Sequence, residues 1–383
     1  MLDGSVNVNN KDTFLPLGSA QPYFNENGEI TFVPVDKEFV EFASLLGMSV
    51  VDEGAIKVNI YTKIDPAFVA SGRVRFYAEY AGNVQVYTVN DAKRVTMPDG
   101  TTAYVFSIYT AAKDYETPIH CYFSFVEDPE LGDNDPYAEY VDVCILARKI
   151  TIKEYLDSVI NARAYDNSAV NLAKAMKNYC ASAAYHFDIA ENYTVVDGIA
   201  PYLEQVNYEM LNDYKATQGE AYAGAPLTFK TATLILESET SIRLYLTLDE
   251  GYEIETDEAG NYWLVTTVDG KEVKTLITVT IQGTDNIVPF TVIETGIASR
   301  PYCIEIFDIY AKDYFTMYSV KLDGKVYMNY SVASWCRSVI KNESKYDEAV
   351  VDMAKSLVIY GYSAVERINS LNPAPTPDEG GTE

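Results

Sequence analysis

One passage occurs twice in this chain, about 180 residues apart, and whatever fold is assigned has to accommodate it twice. The first copy reads Thr151-Ile-Lys-Glu-Tyr-Leu-Asp-Ser-Val-Ile160, then Tyr165-Asp166, then Val170-Asn-Leu-Ala-Lys-Ala-Met-Lys-Asn-Tyr179-Cys-Ala-Ser-Ala-Ala184. The second reads Ser331-Val-Ala-Ser-Trp-Cys-Arg-Ser-Val-Ile340, then Tyr346-Asp347, then Val351-Asp-Met-Ala-Lys-Ser-Leu-Val-Ile-Tyr360-Gly-Tyr-Ser-Ala364. With one single-residue gap, 11 of the 37 positions from Thr151 to Phe187 are identical, where roughly two would match by chance at average residue frequencies. Outside the helices, Ala112-Lys-Asp-Tyr115 recurs as Ala311-Lys-Asp-Tyr314, and Ala55-Ile-Lys-Val-Asn-Ile60 pairs with Ser241-Ile-Arg-Leu-Tyr-Leu246. The duplication therefore covers more than one helix pair.

Period-two alternation precedes each copy. Ile56–Thr62, Val74–Tyr80, Val84–Thr88 and Ala103–Tyr109 read as strands, as do Leu234–Ser238, Ile242–Leu248, Tyr262–Val268 and Leu276–Ile281. Asn27-Gly28 signals an earlier hairpin, and Asp269-Gly270 and Asp323-Gly324 signal later ones. Short strands at this spacing predict β-sandwiches. The pattern then changes to that of a helix. Ile152, Tyr155, Leu156, Val159 and Ile160 form an apolar stripe behind a Thr151/Glu154 capping box, and Asp166 is placed to cap a second helix. A short link makes the two helices antiparallel. The fold class expected is mostly β with α: two tandem β-sandwich units, each followed by an antiparallel helix pair.

On this reading residues 1–20 are a linker or the end of a preceding module. The first unit covers 21–190, a connecting helix and loop 191–225, and the second unit 226–368. Residues 369–383 form a Pro-rich acidic linker. Pro201–Tyr214 is predicted to be a single amphipathic helix. The copies differ most after Ala-Lys-Asp-Tyr. Tyr115 to Thr151 spans 36 positions, against 17 from Tyr314 to Ser331, so the first copy carries an acidic insertion centred on 127–136.

A net charge of −27 argues against nucleic acid and anionic membrane surfaces as partners. No apolar run is long enough to insert into a membrane. Met1 is followed by Leu-Asp-Gly-Ser-Val-Asn, without a basic or apolar leader, so the chain reads as a segment of a longer exported protein. Five cysteines without CxxC spacing read as buried small hydrophobes. The 32 Tyr serve either to fill strands or to present a binding face.

Few residues carry chemistry. His120 falls in a strand and His186 near a helix end, where it suits the helix dipole. No phosphate loop and no nucleophile elbow occur, so no catalytic residue is assigned. Asp128, Glu130, Asp133 and Asp135 offer hard oxygen donors in a Gly- and Pro-bent loop, which reads as either a weak Ca²⁺ site or a solvated hairpin tip. They fit no EF-hand register, and no other cofactor is indicated. Tyr262 and Trp263, beside the Gly260-Asn261 turn, are the candidate ligand-binding aromatics. Either they form a platform for a sugar ring or Trp263 belongs to the sandwich core.

Tyr360-Gly-Tyr-Ser-Ala364, Tyr330-Ser-Val332, Glu209-Met-Leu-Asn-Asp-Tyr214 and Ala232–Ile242 resemble tandem sheet-plus-helix-pair modules. These occur in large secreted surface proteins of Gram-positive anaerobic gut bacteria. Cys180 and Ala181 depart from the Gly-aromatic pattern in the first copy. The resemblance implies an extracellular or cell-surface location and no catalytic residues. The function expected is a non-catalytic adhesion or protein-binding segment whose partner is a host protein or glycan. The alternatives are a carbohydrate-binding module and a structural spacer.

Overall fold

The computed structural model describes residues 6–8, 20–24, 30–34, 42–52, 55–128, 130–131, 135–136, 145–236 and 239–372. These are mostly β with α, and the sheets are antiparallel. Sheet I runs in spatial order Val6–Val8, Ala43–Asp52, Ile56–Ile64, Thr102–Thr110, Lys93–Thr96. Sheet II runs Ile145–Ile150, Ile119–Phe125, Val74–Tyr80, Asn83–Thr88. Sheet III runs Leu227–Leu236, Thr240–Leu248, Tyr302–Ile306, Phe290–Glu294. Sheet IV runs Thr217–Gln218, Lys325–Tyr330, Tyr318–Leu322, Lys271–Ile281, Tyr262–Val268, Tyr252–Thr256. Ala20–Phe24 pairs with Ile30–Pro34 as a separate hairpin, on either side of the Asn-Gly signal.

The alternation in the sequence sets which side chains turn inward. Ile56, Val58, Ile60 and Ile64 are buried, while Lys57, Asn59 and Tyr61 face away from the core. Sheets I and II meet through phenylalanines, with Phe76 stacked on Phe106 at 4.5 Å and Phe123 edge-on to Phe106 at 5.7 Å. Sheets III and IV meet through Tyr262 and Phe290, 5.3 Å apart, and Phe229 and Tyr330, 6.3 Å apart. From Ala43–Asp52 onward, sheet I has the connectivity of sheet III, in which the first two strands are followed in space by the last and then the penultimate. Much of the tyrosine excess lies inside. Tyr314, Tyr327 and Tyr360 are among the largest fully buried side chains.

Six helices are described: α1 Pro66–Ser71, α2 Ile152–Asn161, α3 Asn167–His186, α4 Ala200–Gln205, α5 Val332–Lys341 and α6 Glu348–Leu371. Thr151 and Glu154 close the expected capping box on α2, and Ser331 with Ser334 does the same on α5. The recurring Ala-Lys-Asp-Tyr now has a physical role. Each copy forms a 3-10 turn, Ala112–Asp114 or Ala311–Asp313. The carbonyl of the following tyrosine accepts a first-turn N–H of the next helix: Lys153 to Tyr115 at 3.0 Å, Ala333 to Tyr314 at 2.9 Å. In the second copy α6 crosses this turn at Gly361, where an added Cβ would stand 2.9 Å from Phe315, 3.2 Å from Tyr314 and 3.3 Å from the Ala311 carbonyl. Cys180, fully buried, occupies the matched position of α3.

Helices α3 and α6 pack on each other, and the sequence-matched residues meet. Tyr179 and Tyr360 stack at 5.5 Å with their planes 15° apart. Asp166, the N-cap of α3, pairs with Arg367 near the end of α6 at 2.7 Å. Asp347, the N-cap of α6, acts electrostatically on His186, the last residue of α3. His186 and Arg367 occupy matched positions, as do Asp166 and Asp347. The helices therefore run antiparallel, with each acidic N-cap close to a basic side chain toward the C-terminal end of the other helix.

Pro201–Tyr214 is not one helix. Helix α4 ends at Gln205, and the Asn207 side chain then accepts the N–H groups of Glu209 at 2.9 Å and Met210 at 3.2 Å. A side chain that satisfies backbone donors in this way competes with helix continuation. No helix among the described residues is long and apolar enough to cross a membrane.

Candidate functional site

Tyr262 and Trp263 are neighbours on one strand, so they point to opposite faces of sheet IV. Tyr262 turns inward, its hydroxyl 2.9 Å from the Thr291 hydroxyl and its ring against Phe290. Trp263 is half-exposed and donates its indole N–H to Asp257 at 2.9 Å. Asp257 also accepts from Asn261, through both backbone and side chain, and from the Ala259 N–H. The Asn261 and Trp263 donors pull its carboxyl down to about 2. The two aromatics therefore do not share one platform. Trp263 alone offers a ring to solvent, held over the Asp257–Asn261 turn.

The acidic insertion divides in a similar way. Asp128 accepts the Glu130 N–H at 3.1 Å, a local turn contact, while Glu130 is exposed. Asp133 lies outside the described residues. Asp135 takes the Arg73 guanidinium through both oxygens, at 2.8 and 2.5 Å, with only 4% of its side chain exposed. Arg73 in turn stacks over Phe125 at 4.5 Å. A cation using Asp135 would have to displace Arg73. Among the described residues no three His, Cys, Asp or Glu side chains gather as a metal-ligand group.

A site that the sequence did not single out lies where α3, α6 and the segment between the two copies converge. Asn178 on α3, fully buried, is its hub. Its amide donates to the Ser356 hydroxyl on α6 at 2.9 Å. Its carbonyl accepts from the Tyr193 hydroxyl at 3.1 Å and the Val196 N–H at 3.2 Å. These bonds hold the connecting segment against both helices. Buried Ile199, Val206 and Leu211 anchor it further along. Gly198 makes the turn between Asn178's partners and α4 with φ +83°, a left-handed conformation that glycine adopts without penalty.

Two hollows flank this stitching. The smaller, about 400 Å³, lies between α3, α4 and α6 and is lined by Lys174, Tyr202, Met210, Ile359 and Tyr362. Tyr202 is 54% exposed, Met210 43% and Tyr362 40%, which is unusual for large apolar side chains gathered in one place. The larger, about 990 Å³, opens between α2, α3 and residues 187–197, with Ile189 exposed at its wall. Four lysines line it: Lys113, Lys153, Lys174 and Lys177. Lys177 pairs with Asp157, and Lys153 lies 4.0 Å from both Asp157 and Glu116. Lys113 sits over the Phe187 ring at 5.2 Å. Lys174 lines both hollows, is half-buried, and forms no hydrogen bond or ion pair among the described residues.

The site assembles residues some 250 positions apart, which periodicity cannot bring together. The available signal was weak: the apolar side chains of 199–211 exceed what a six-residue helix can bury. Burial pushes up the thiols of Cys121 and Cys336, so these cysteines stay protonated and inert. Neither the family models, nor the curated proteins, nor the solved structures compared with this chain give a match.

Proposed function

We propose that this chain is a non-catalytic, extracellular adhesion or protein-binding segment of a bacterial surface protein. In this reading it consists of two tandem sandwich-plus-helix-pair units of the kind found in secreted proteins of Gram-positive gut anaerobes, joined through α3 and α6. The observation that carries the binding function is the pair of hollows at that seam, with Ile189, Tyr202, Met210 and Tyr362 exposed around them. Tyr and Met are enriched in protein interfaces, and exposed apolar patches in folded proteins mark interaction sites. The net charge of −27 fits partners other than nucleic acid. Repetition of the Ala-Lys-Asp-Tyr clasp fits a scaffold whose copies were kept for their shape.

A second reading, a carbohydrate-binding module, is favoured by one observation: the half-exposed Trp263 ring fixed by Asp257. One experiment separates the two. The purified chain is tested against an array of host secretory proteins, mucins and glycans at physiological salt, with and without Ca²⁺. A protein hit that disappears in Tyr202→Ser/Tyr362→Ser supports the first reading. A glycan hit that disappears in Trp263→Ala supports the second. Silence across the array would leave the chain as a structural spacer.

A further inference from the structure

Building on the protein-binding reading, we infer that the seam cleft takes a peptide segment with a carboxylate that pairs with Lys174. Aliphatic or aromatic side chains next to that carboxylate would enter the hollow bounded by Tyr202, Met210 and Tyr362. Lys174 is the key residue. The residue is half-buried, lines both hollows, and has no carboxylate at ion-pairing distance among the described residues, although the chain carries 56 acids against 29 Lys and Arg. Its groove neighbours Lys153 and Lys177 are already occupied by Asp157 and Glu116. A lysine without a counter-charge at the edge of an apolar hollow leaves an incoming carboxylate a charge partner that its neighbours do not already hold.

The backbone keeps the approach open. A Cβ placed on Gly198 would stand 3.2 Å from Lys174 Nζ, so any larger residue there would crowd the ammonium. The walls distinguish a peptide from an acidic sugar. The exposed Tyr202 and Tyr362 rings suit either ligand, whereas the exposed Met210 and Ile189 offer flexible or branched alkyl surface that suits peptide side chains. Glu116, Asp157, Glu191, Asp197 and Glu366 also line the hollows, so an acidic partner is drawn to Lys174 and repelled by the walls on either side, which sets the register of binding.

The test uses the intact chain and a fluorescein-labelled pentapeptide, acetyl-Ser-Leu-Glu-Tyr-Ser-amide, followed by anisotropy. The expected result is saturable binding with Kd below about 1 mM, weakened several-fold between low and high NaCl. The Glu→Gln peptide should bind about tenfold more weakly, and Lys174→Ala should lower affinity for the Glu peptide by a similar factor while barely changing that for the Gln peptide. Lys174→Arg should retain binding, and unchanged thermal unfolding of each variant excludes loss of fold. Equal affinity for the Glu and Gln peptides, full affinity in Lys174→Ala, or no binding of the Glu peptide at millimolar concentration would each overturn the inference. So would competition by a uronic acid tetrasaccharide that outmatches the peptide. If a protein hit from the array survives Lys174→Ala, this inference fails while the protein-binding reading stands.

Discussion

Replacing Tyr179 with Leu tests whether the two halves of the chain are energetically one object. Tyr179 is 3% exposed and Tyr360 2%, and their rings stack at 5.5 Å across the α3–α6 contact. Truncating a buried aromatic to Ala costs about 3–5 kcal/mol, and Leu keeps part of that burial, so about 2 kcal/mol should be lost. About 1 kcal/mol of this belongs to the ring pair itself, which a double-mutant cycle with Tyr360→Leu isolates. The chain's only two tryptophans, Trp263 and Trp335, both lie in the C-terminal half. Indole emission during urea unfolding therefore reports on the half that does not contain Tyr179. If the seam couples the halves, Tyr179→Leu lowers the emission-detected stability by at least the pair energy. An emission transition that stays in place while far-UV circular dichroism shifts would refute the coupling. So would a cycle energy within about 0.3 kcal/mol of zero.

Other expectations can be checked by simpler measurements. Arg73→Ala removes both guanidinium bonds to the buried Asp135 carboxylate and should cost about 3–5 kcal/mol in chemical denaturation, whereas joint replacement by Arg73→Met and Asp135→Leu should recover most of it. Gly219→Ala would put a Cβ 2.2 Å from the Val326 carbonyl. It should detach the Thr217–Gln218 edge, seen as faster amide exchange at Gly219 and Ala221, whose N–H groups bond Tyr327 and Val326 at 2.9 Å. The carboxyl of Asp257 is lowered from 3.8 to about 2, so its turn network is complete above the ordinary value and is lost as pH falls through the folded one. The Trp263 indole N–H resonance should therefore titrate near pH 2 in the wild type and stay flat in Asp257→Asn; a midpoint near 3.8 would contradict the assignment.

Secondary structure was legible from local patterns, because period and capping are local physics. The strands Ile56–Ile64 and Tyr262–Val268, the capping box at Thr151 and the Asp166 cap all follow from a few adjacent residues. Pro201–Tyr214 failed for a local reason of another kind. Its apolar spacing suits a helix, but the Asn207 side chain takes the backbone donors that a continuing helix would need. Tyr262 and Trp263 could be recognised as a pair but not as a site, since adjacent strand residues face opposite ways. The insertion was visible as a cluster of charge, yet Asp135's partner, Arg73, lies 62 residues away and in another element.

The seam shows where the likeness of the two copies ends. Matched residues meet at its centre, Tyr179 on Tyr360, and the acidic caps Asp166 and Asp347 lie near Arg367 and His186 of the opposite helix. The symmetry ends at the residues outside the repeat. Gly361 lets α6 close on its clasp, whereas Cys180 fills the same place on α3. Only one copy is followed by 187–214, which Asn178 ties down, and this segment supplies Tyr202, Met210 and the Gly198 turn beside Lys174. In the second copy the lysine matched to Lys174 is Lys355, which lines neither hollow. If binding resides at the seam, Lys355→Ala should leave it unchanged where Lys174→Ala weakens it about tenfold. That contrast between two residues identical in sequence would locate the function in the part of the chain that was not duplicated.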